Sequence, residues 1–247
     1  MNFENQKEVL LAGMRQTGIV LSDDQILKFL DYYAMLMDWN QKMNLTAITD
    51  YEEVVMKHFV DSTSLLSVIK IPAQSSLIDV GTGAGFPGIP LKIVRPDLNV
   101  VLLDSLNKRV SFLNEVISSL KLDTENDITA IHGRAEDISR EKLYRESFDF
   151  AVSRAVSNIS VISEYCVPFL KVNGLFAAYK SSGITEELQQ YGFGLEKLCA
   201  VIEKVETFEI TGEKERAERS FVLIRKTGKT PDQYPRRSGI PEKRPLK

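Results

Sequence analysis

Only two cysteines occur in 247 residues, and neither Cys166 nor Cys199 has a CxxC partner or a spacing that suits a metal. A disulfide framework and a thiolate metal site are excluded as organising devices, and no metal is expected. Both thiols read as reduced and buried. No apolar run approaches the roughly 20 residues that span a bilayer, and Met1–Glu8 lacks the basic-then-apolar order of a secretory leader. The expectation is a cytoplasmic protein with no membrane partner. Internal repeats are absent, and so is the GxSxG elbow of a serine hydrolase. His58, Asp61 and Ser62 supply triad residue types, but at i, i+3 and i+4 they share one helix face, which does not reproduce nucleophile–base–orienter geometry. They read instead as residues that pack an N-terminal helical layer against the rest of the chain.

What is present is a chain of ordinary globular composition, 43% hydrophobic and 26% charged, long enough to bury a substantial core. Its net charge of −3 conceals an asymmetry. From Arg225 to Lys247 eight basic residues face two acids, Asp232 and Glu242, so a basic tail follows an acidic body. Such a tail points either to a polyanionic partner or to a solvated terminus.

The first 70 residues read as helical. Ser22-Asp23-Asp24-Gln25 is a capping box. Ile26, Phe29, Leu30, Tyr33 and Met37 then recur at helical spacing. Asp50-Tyr51-Glu52-Glu53 opens a second helix through Phe59. From Ser76 the texture becomes strand, loop, helix, repeated. Strands are expected at Leu77–Val80, Val100–Asp104, Ile128–His132, Phe148–Ser153 and Leu175–Tyr179, with helices at Lys108–Leu120 and Ile159–Leu170. This alternation predicts βαβ units and a mostly parallel sheet. Val205–Ile210 and Phe221–Arg225 flank a charged turn and predict an antiparallel hairpin at the sheet edge. The prolines at 231, 235, 241 and 245 cannot continue a helix or a central strand. The expected organisation is a helical extension over residues 1–70, an α/β domain over 71–227 and a basic, proline-rich tail over 228–247.

The chemistry centres on Asp79-Val80-Gly81-Thr82-Gly83-Ala84-Gly85-Phe86-Pro87-Gly88. An apolar strand ends in an acid and breaks into a glycine-dense loop, the geometry of a nucleotide pocket at the carboxyl end of a parallel strand. GxGxxG is satisfied, so a nicotinamide-dependent oxidoreductase is one reading. Against it, Pro87 and Pro90 replace the open helix N-terminus that would cradle a pyrophosphate. S-adenosylmethionine carries a ribose, an adenine and an amino-acid tail but no phosphate, and fits the same loop. Asp104 ends the next strand, placed to accept from ribose hydroxyls, with helix capping as the bland alternative. Gly133-Arg134-Ala135-Glu136-Asp137 follows the third strand, where an adenine edge would lie. Arg154 ends the fourth strand, where it faces a methionine carboxylate or a nucleic-acid phosphate, or simply caps a helix.

Together these residues resemble a class I S-adenosylmethionine-dependent methyltransferase of Rossmann-like fold. The closer resemblance is to the bacterial small-subunit rRNA guanine-N7 methyltransferase family RsmG, also called glucose-inhibited division protein B. It covers nearly the whole chain: Trp39-Asn40 with Asn44-Leu45-Thr46, His58 with Asp61-Ser62, Asp79 through Leu91, Leu103 through Arg109, Arg134-Ala135-Glu136, Ser153-Arg154-Ala155, and Tyr234-Pro235-Arg236-Arg237 onward. The resemblance implies that Gly81, Phe86, Ala135, Glu136 and Arg154 contact S-adenosylmethionine, with Gly83 and Asp104 added from the loop and strand geometry. It implies methylation of 16S rRNA in the small ribosomal subunit, by a protein expected to be a monomer.

The chemistry is consistent with that implication. Carbon-5 methylation needs a cysteine nucleophile, and neither cysteine lies in a suitable strand-end loop. Exocyclic amine methylation goes with an Asn/Asp-Pro-Pro-aromatic loop, and Ser153-Arg154-Ala155-Val156 stands in that place. Guanine N7 carries no proton, so no catalytic base is needed and positioning carries the rate. Lys180, Arg236 and Arg237 are the expected phosphate contacts. A non-catalytic RNA binder that retains the fold is the remaining alternative.

Overall fold

The protein is described from a computed structural model covering residues 2–125, 127–154, 157–181, 183–211 and 216–247. Among these residues seven strands form one sheet: β1 (Ser76–Val80), β2 (Asn99–Asp104), β3 (Ile128–His132), β4 (Phe148–Arg154), β5 (Leu170–Lys180), β6 (Ala200–Thr211) and β7 (Arg216–Lys226), in the order β3-β2-β1-β4-β5-β7-β6. The first five are parallel, and β7 runs antiparallel to both β5 and β6. The predicted hairpin is therefore present and considerably longer at both ends. Its tip, 212–215, lies outside the described residues.

One predicted helix ends early. Ile159 opens a helix that stops at Cys166, a short 3-10 turn covers Val167–Phe169, and Leu170 already belongs to β5. Pro168 lacks the N–H that a continuing helix would need.

Alternation along each strand divides the core. Leu77, Val152, Ala177 and Leu223 point to one face, and Ile78, Ala151, Phe176 and Val222 to the other. The first face is covered by Phe3–Arg15, Asp23–Lys42 and the helical run from Tyr51 to Val68, together with Gly88–Val94 and Asn107–Ser119. Ser22 and Gln25 form the predicted capping box. The Gln25 amide also donates to the Ile93 carbonyl (2.9 Å), joining the layer to the helix after β1. The apolar stripe of Asp23–Lys42 is centred differently from the expectation: Tyr32 and Leu36 are fully buried, while Tyr33 and Met37 lie at its margin. The helices before residue 70 thus share one core with the sheet.

The tail is docked on the opposite face. Tyr234 and Leu246 are buried in the second core. Arg145 donates to the Thr230 and Tyr234 carbonyls, each at 3.0 Å. The fully buried Lys226 ammonium pairs with Glu146 (2.7 Å) and the Leu170 carbonyl (2.8 Å). Among the described residues no helix is long and apolar enough to cross a membrane.

Candidate cofactor and substrate site

The strand order reverses between β1 and β4, which pair directly. In an open parallel sheet the crevice beyond the carboxyl ends at this reversal is where ligands bind. The loop after β1 and the last residue of β4, Arg154, both lie there.

Gly81 and Gly83 adopt φ of +72° and +62°, the left-handed region that a side chain resists. A Cβ on Gly83 would meet no heavy atom within 4 Å, so its backbone faces open space. Asp79 locks the loop from below. Its Oδ2 accepts from the Thr82 hydroxyl (2.7 Å) and the Gly88 N–H (2.8 Å). Its Oδ1 has no hydrogen-bond partner among the described residues. Burial raises this carboxyl to about 7, against the pull of those two bonds and of Arg154. Tyr32 closes the loop from the helical layer by donating its hydroxyl to the Ala84 carbonyl.

The helix that follows, Gly88–Val94, has no free amide in its first turn. Gly88 N–H is given to Asp79, Ile89 N–H to the Gly85 carbonyl (2.8 Å), Pro90 has none, and Leu91 N–H goes to the Pro87 carbonyl (3.1 Å). A pyrophosphate cradle requires those donors unpaired. The site suits a ligand that has a sugar and charged groups but brings no phosphate to this helix.

Asp104, at the end of β2, is 2% exposed. Its carboxylate accepts from Gly83 N–H and Leu106 N–H, each at 2.9 Å, and from Arg109 at 3.4 Å. It therefore ties the glycine loop to β2, a contact beyond the ribose role expected of it. Ala135 and Glu136 begin a short helical turn after β3. Ala135 packs against the second core, and the Glu136 side chain is buried where the docked tail passes, within 3.4 Å of Gly239 N–H.

Arg154 is the most constrained of the predicted residues. One terminal nitrogen donates to the Lys57 carbonyl (2.8 Å) and Asp61 Oδ2 (2.9 Å), and the other to His58 Nδ1 (3.1 Å). Its guanidinium lies 5.0 Å from the Phe86 ring centre, and His58 stacks on the same ring at 4.5 Å. All three partners come from the helical layer, where Val55–Val60 is a π-helical turn, a widening often found at functional sites. His58 Nδ1 also lies 3.1 Å from the Lys57 carbonyl, which only accepts, so this contact and the one from Arg154 do not share one neutral tautomer. Nε2 lies 2.9 Å from the Thr46 hydroxyl, which pairs with either tautomer. Burial and the neighbouring Arg154 charge lower His58 to about 3, so it stays neutral. It is not a proton donor at neutral pH.

The structure brings Gly81, Gly83, Phe86, Asp104 and Arg154 to one sheet edge, with Ala135 and Glu136 in the turn that follows β3, the strand beside β2. The expected phosphate contacts are more scattered. Lys180 is paired with Glu187 and the Ser157 carbonyl, each at 2.8 Å. Arg236 grips the fully buried Glu164 through Nε, shared between both carboxylate oxygens (2.9 and 3.1 Å), and a terminal nitrogen (2.6 Å), and its own backbone N–H adds a fourth bond at 2.7 Å. Neither is a free cation, and Arg236 has a structural task that sequence reading did not foresee. Arg237 alone is exposed, with no side-chain partner among the described residues. Ala155 and Val156 lie outside them. Sequence reading also passed over Tyr32 and Arg219. Arg219 donates Nε to Asp61 Oδ1 (2.9 Å) from β7. Its signal was a lone charge two residues before Phe221, on the apolar face of a strand.

A family described as rRNA small subunit methyltransferase G matches residues 25–220 of this chain. The chain belongs to the rRNA small subunit methyltransferase G family. Curated relatives of that name are 49% identical in Lachnoclostridium phytofermentans, over 96% of each chain. In Acetivibrio thermocellus the relative is 48% identical, over 97% of this chain and 96% of that one. Among solved structures, a candidate sarcosine dimethylglycine methyltransferase of Galdieria sulphuraria superposes with a TM-score of 0.52 at 14% identity, over 72% of this chain and 88% of that one. The YcgJ protein of Bacillus subtilis gives 0.50 at 12% identity, over 69% and 100%. These likenesses show a Rossmann-like methyltransferase fold. The methyltransferase G family match lies over the glycine loop, Asp104, Glu136 and Arg154 together, and ends within β7.

Proposed function

We propose that this protein transfers the methyl group of S-adenosylmethionine to N7 of a guanine in 16S rRNA of the small ribosomal subunit. The observation that carries the cofactor choice is the first turn of Gly88–Val94, whose amides are all engaged or missing. A dinucleotide would find no anion site there. S-adenosylmethionine needs none, and when bound it supplies an electrophilic methyl on a sulfonium sulfur.

Each group then has a role. Gly81 and Gly83 let the backbone approach the cofactor without side-chain interference. Asp104 accepts from the ribose, the weak 3.4 Å contact of Arg109 being the one to give way. Asp79 braces the loop from below through Thr82 and Gly88. Ala135 and Glu136 border the adenine. Phe86, pinned under Arg154 and His58, walls the transfer site, and Arg154 faces the amino-acid carboxylate with its remaining donors. No group here has to remove a proton. His58 is neutral and Asp61 is held by two arginines, as suits attack by a ring nitrogen lone pair.

Calorimetric titration with S-adenosylhomocysteine and with NADH tests the cofactor. Binding of the first and not the second is expected. The reverse result restores the oxidoreductase reading.

A further inference from the structure

A cavity of about 470 Å³ opens between the Val55–Val60 π-turn and the sheet edge formed by the carboxyl ends of β4 and β5 and the amino end of β7. Four cations line it, Lys57, Arg154, Lys180 and Arg219, against two carboxylates, Asp61 and Glu187. Its wall includes the same Arg154 that lies over Phe86 of the glycine loop, so a group seated in the cavity adjoins the transfer site. Three of these cations are already engaged, Lys57 with Glu53 at 3.4 Å among them. Arg154 is held by Asp61, His58 and the Lys57 carbonyl, and Lys180 by Glu187 and Ser157.

Arg219 differs. Its Nε donates to Asp61 Oδ1 at 2.9 Å and one terminal nitrogen to the Glu218 carbonyl at 3.1 Å. The other terminal nitrogen has no hydrogen-bond partner among the described residues, and the side chain is 24% exposed. Asp61 thus fixes the plane of the guanidinium from behind and leaves part of its fork open. An arginine held in this way has lost its rotamer freedom before any ligand arrives, and its planar donors match a phosphate oxygen pair.

We propose that this cavity seats the backbone phosphate of the target nucleotide and that Arg219 is its contact. The inference rests on the RNA methylation reading and deepens it, naming for the phosphate a cavity and a residue, Arg219, that nothing above assigned. Asp61 becomes the link between the two halves of the site: one oxygen holds Arg154 and the other holds Arg219. Phosphate contacts position a nucleic acid without reading its sequence, so Arg219 sets how the nucleotide enters and not which base is chosen.

The test uses the full-length protein with unmethylated small-subunit rRNA as probe. In Arg219→Ala the KM for RNA is expected to rise about tenfold with little change in kcat, as loss of one charge-assisted contact predicts. The salt dependence of RNA binding should flatten by about 0.7 in log–log slope. S-adenosylhomocysteine affinity should stay at the wild-type value, since Asp61 keeps Arg154. Arg219→Gln retains a donor toward Asp61 without the charge and should give the same KM and slope changes if the alanine variant folds poorly; Arg219→Lys should recover part of both. An unchanged KM and slope in Arg219→Gln overturns the proposal, and so does a parallel loss of S-adenosylhomocysteine affinity, which would place Arg219 on the cofactor side. A wild type that binds S-adenosylhomocysteine yet neither binds nor methylates RNA overturns the parent reading, and this one with it.

Discussion

Replacing Arg236 with alanine separates two accounts of the C-terminal segment. In the structure Glu164 is fully buried in the helix Ile159–Cys166, and its carboxylate accepts three bonds from the Arg236 guanidinium and one from the Arg236 backbone N–H. Truncation to alanine keeps only the backbone bond and leaves a charge without a counter-ion inside the second core. Breaking a buried pair from one side costs about 3–5 kcal/mol. For a chain of this size that is a fall in melting temperature of roughly 6–20 °C. Thermal and urea unfolding of Arg236→Ala measure it directly. Adding Glu164→Gln removes the stranded charge and should recover much of the loss, because the cost lies in the unpaired carboxylate and not in the missing side chain. If Arg236→Ala unfolds within about 0.5 kcal/mol of wild type, the margin of an ordinary surface substitution, and instead weakens RNA binding, the buried clamp is refuted and Arg236 is the phosphate contact its sequence context suggested.

Three other outcomes are expected. Gly81→Val puts a branched side chain at φ +72° beside the proposed ribose approach; S-adenosylhomocysteine binding should vanish in a protein that still folds, and retained affinity would move the site. Arg237→Ala should leave the melting temperature unchanged and flatten the salt dependence of RNA binding by about 0.7; an unchanged slope removes the tail from the RNA contact. His58, lowered from 6.5 to about 3, is neutral when folded and protonated more readily when unfolded. Its contribution to stability is therefore complete above pH 6.5 and is lost as pH falls toward 3. The stability difference between wild type and His58→Asn should shrink by about 1.4 kcal/mol per pH unit in that window, and a constant difference would show that His58 is not held neutral.

The sheet and the glycine loop were legible because they depend on local pattern. An apolar strand, an acid and a dense run of glycines announce a strand-exit pocket without reference to anything distant. The capping box at Ser22 was legible for the same reason: both partners lie within four residues. The fate of the cations was not. Glu164 is 72 positions from Arg236, and nothing near the tail shows that a buried carboxylate awaits it. Lys180 finds Glu187 through a helix turning back onto the edge of β5. The Arg236–Glu164 pairing follows from topology, and net charge on a segment is blind to both pairs. The Arg154–Asp61–Arg219 bridge joins residues 93 and 158 positions apart and needed three elements to be placed first. Of the proposed site, the groups whose role is backbone shape could be read from sequence, and the groups whose role is a shared counter-ion could not.

The central claim is tested most directly by transfer of labelled methyl from S-adenosylmethionine to unmethylated small-subunit rRNA, free and as the assembled subunit, with the nucleosides resolved afterward. Label in 7-methylguanosine is the predicted result. Label in any other nucleoside, or none on either substrate from a protein that binds S-adenosylhomocysteine, would contradict it.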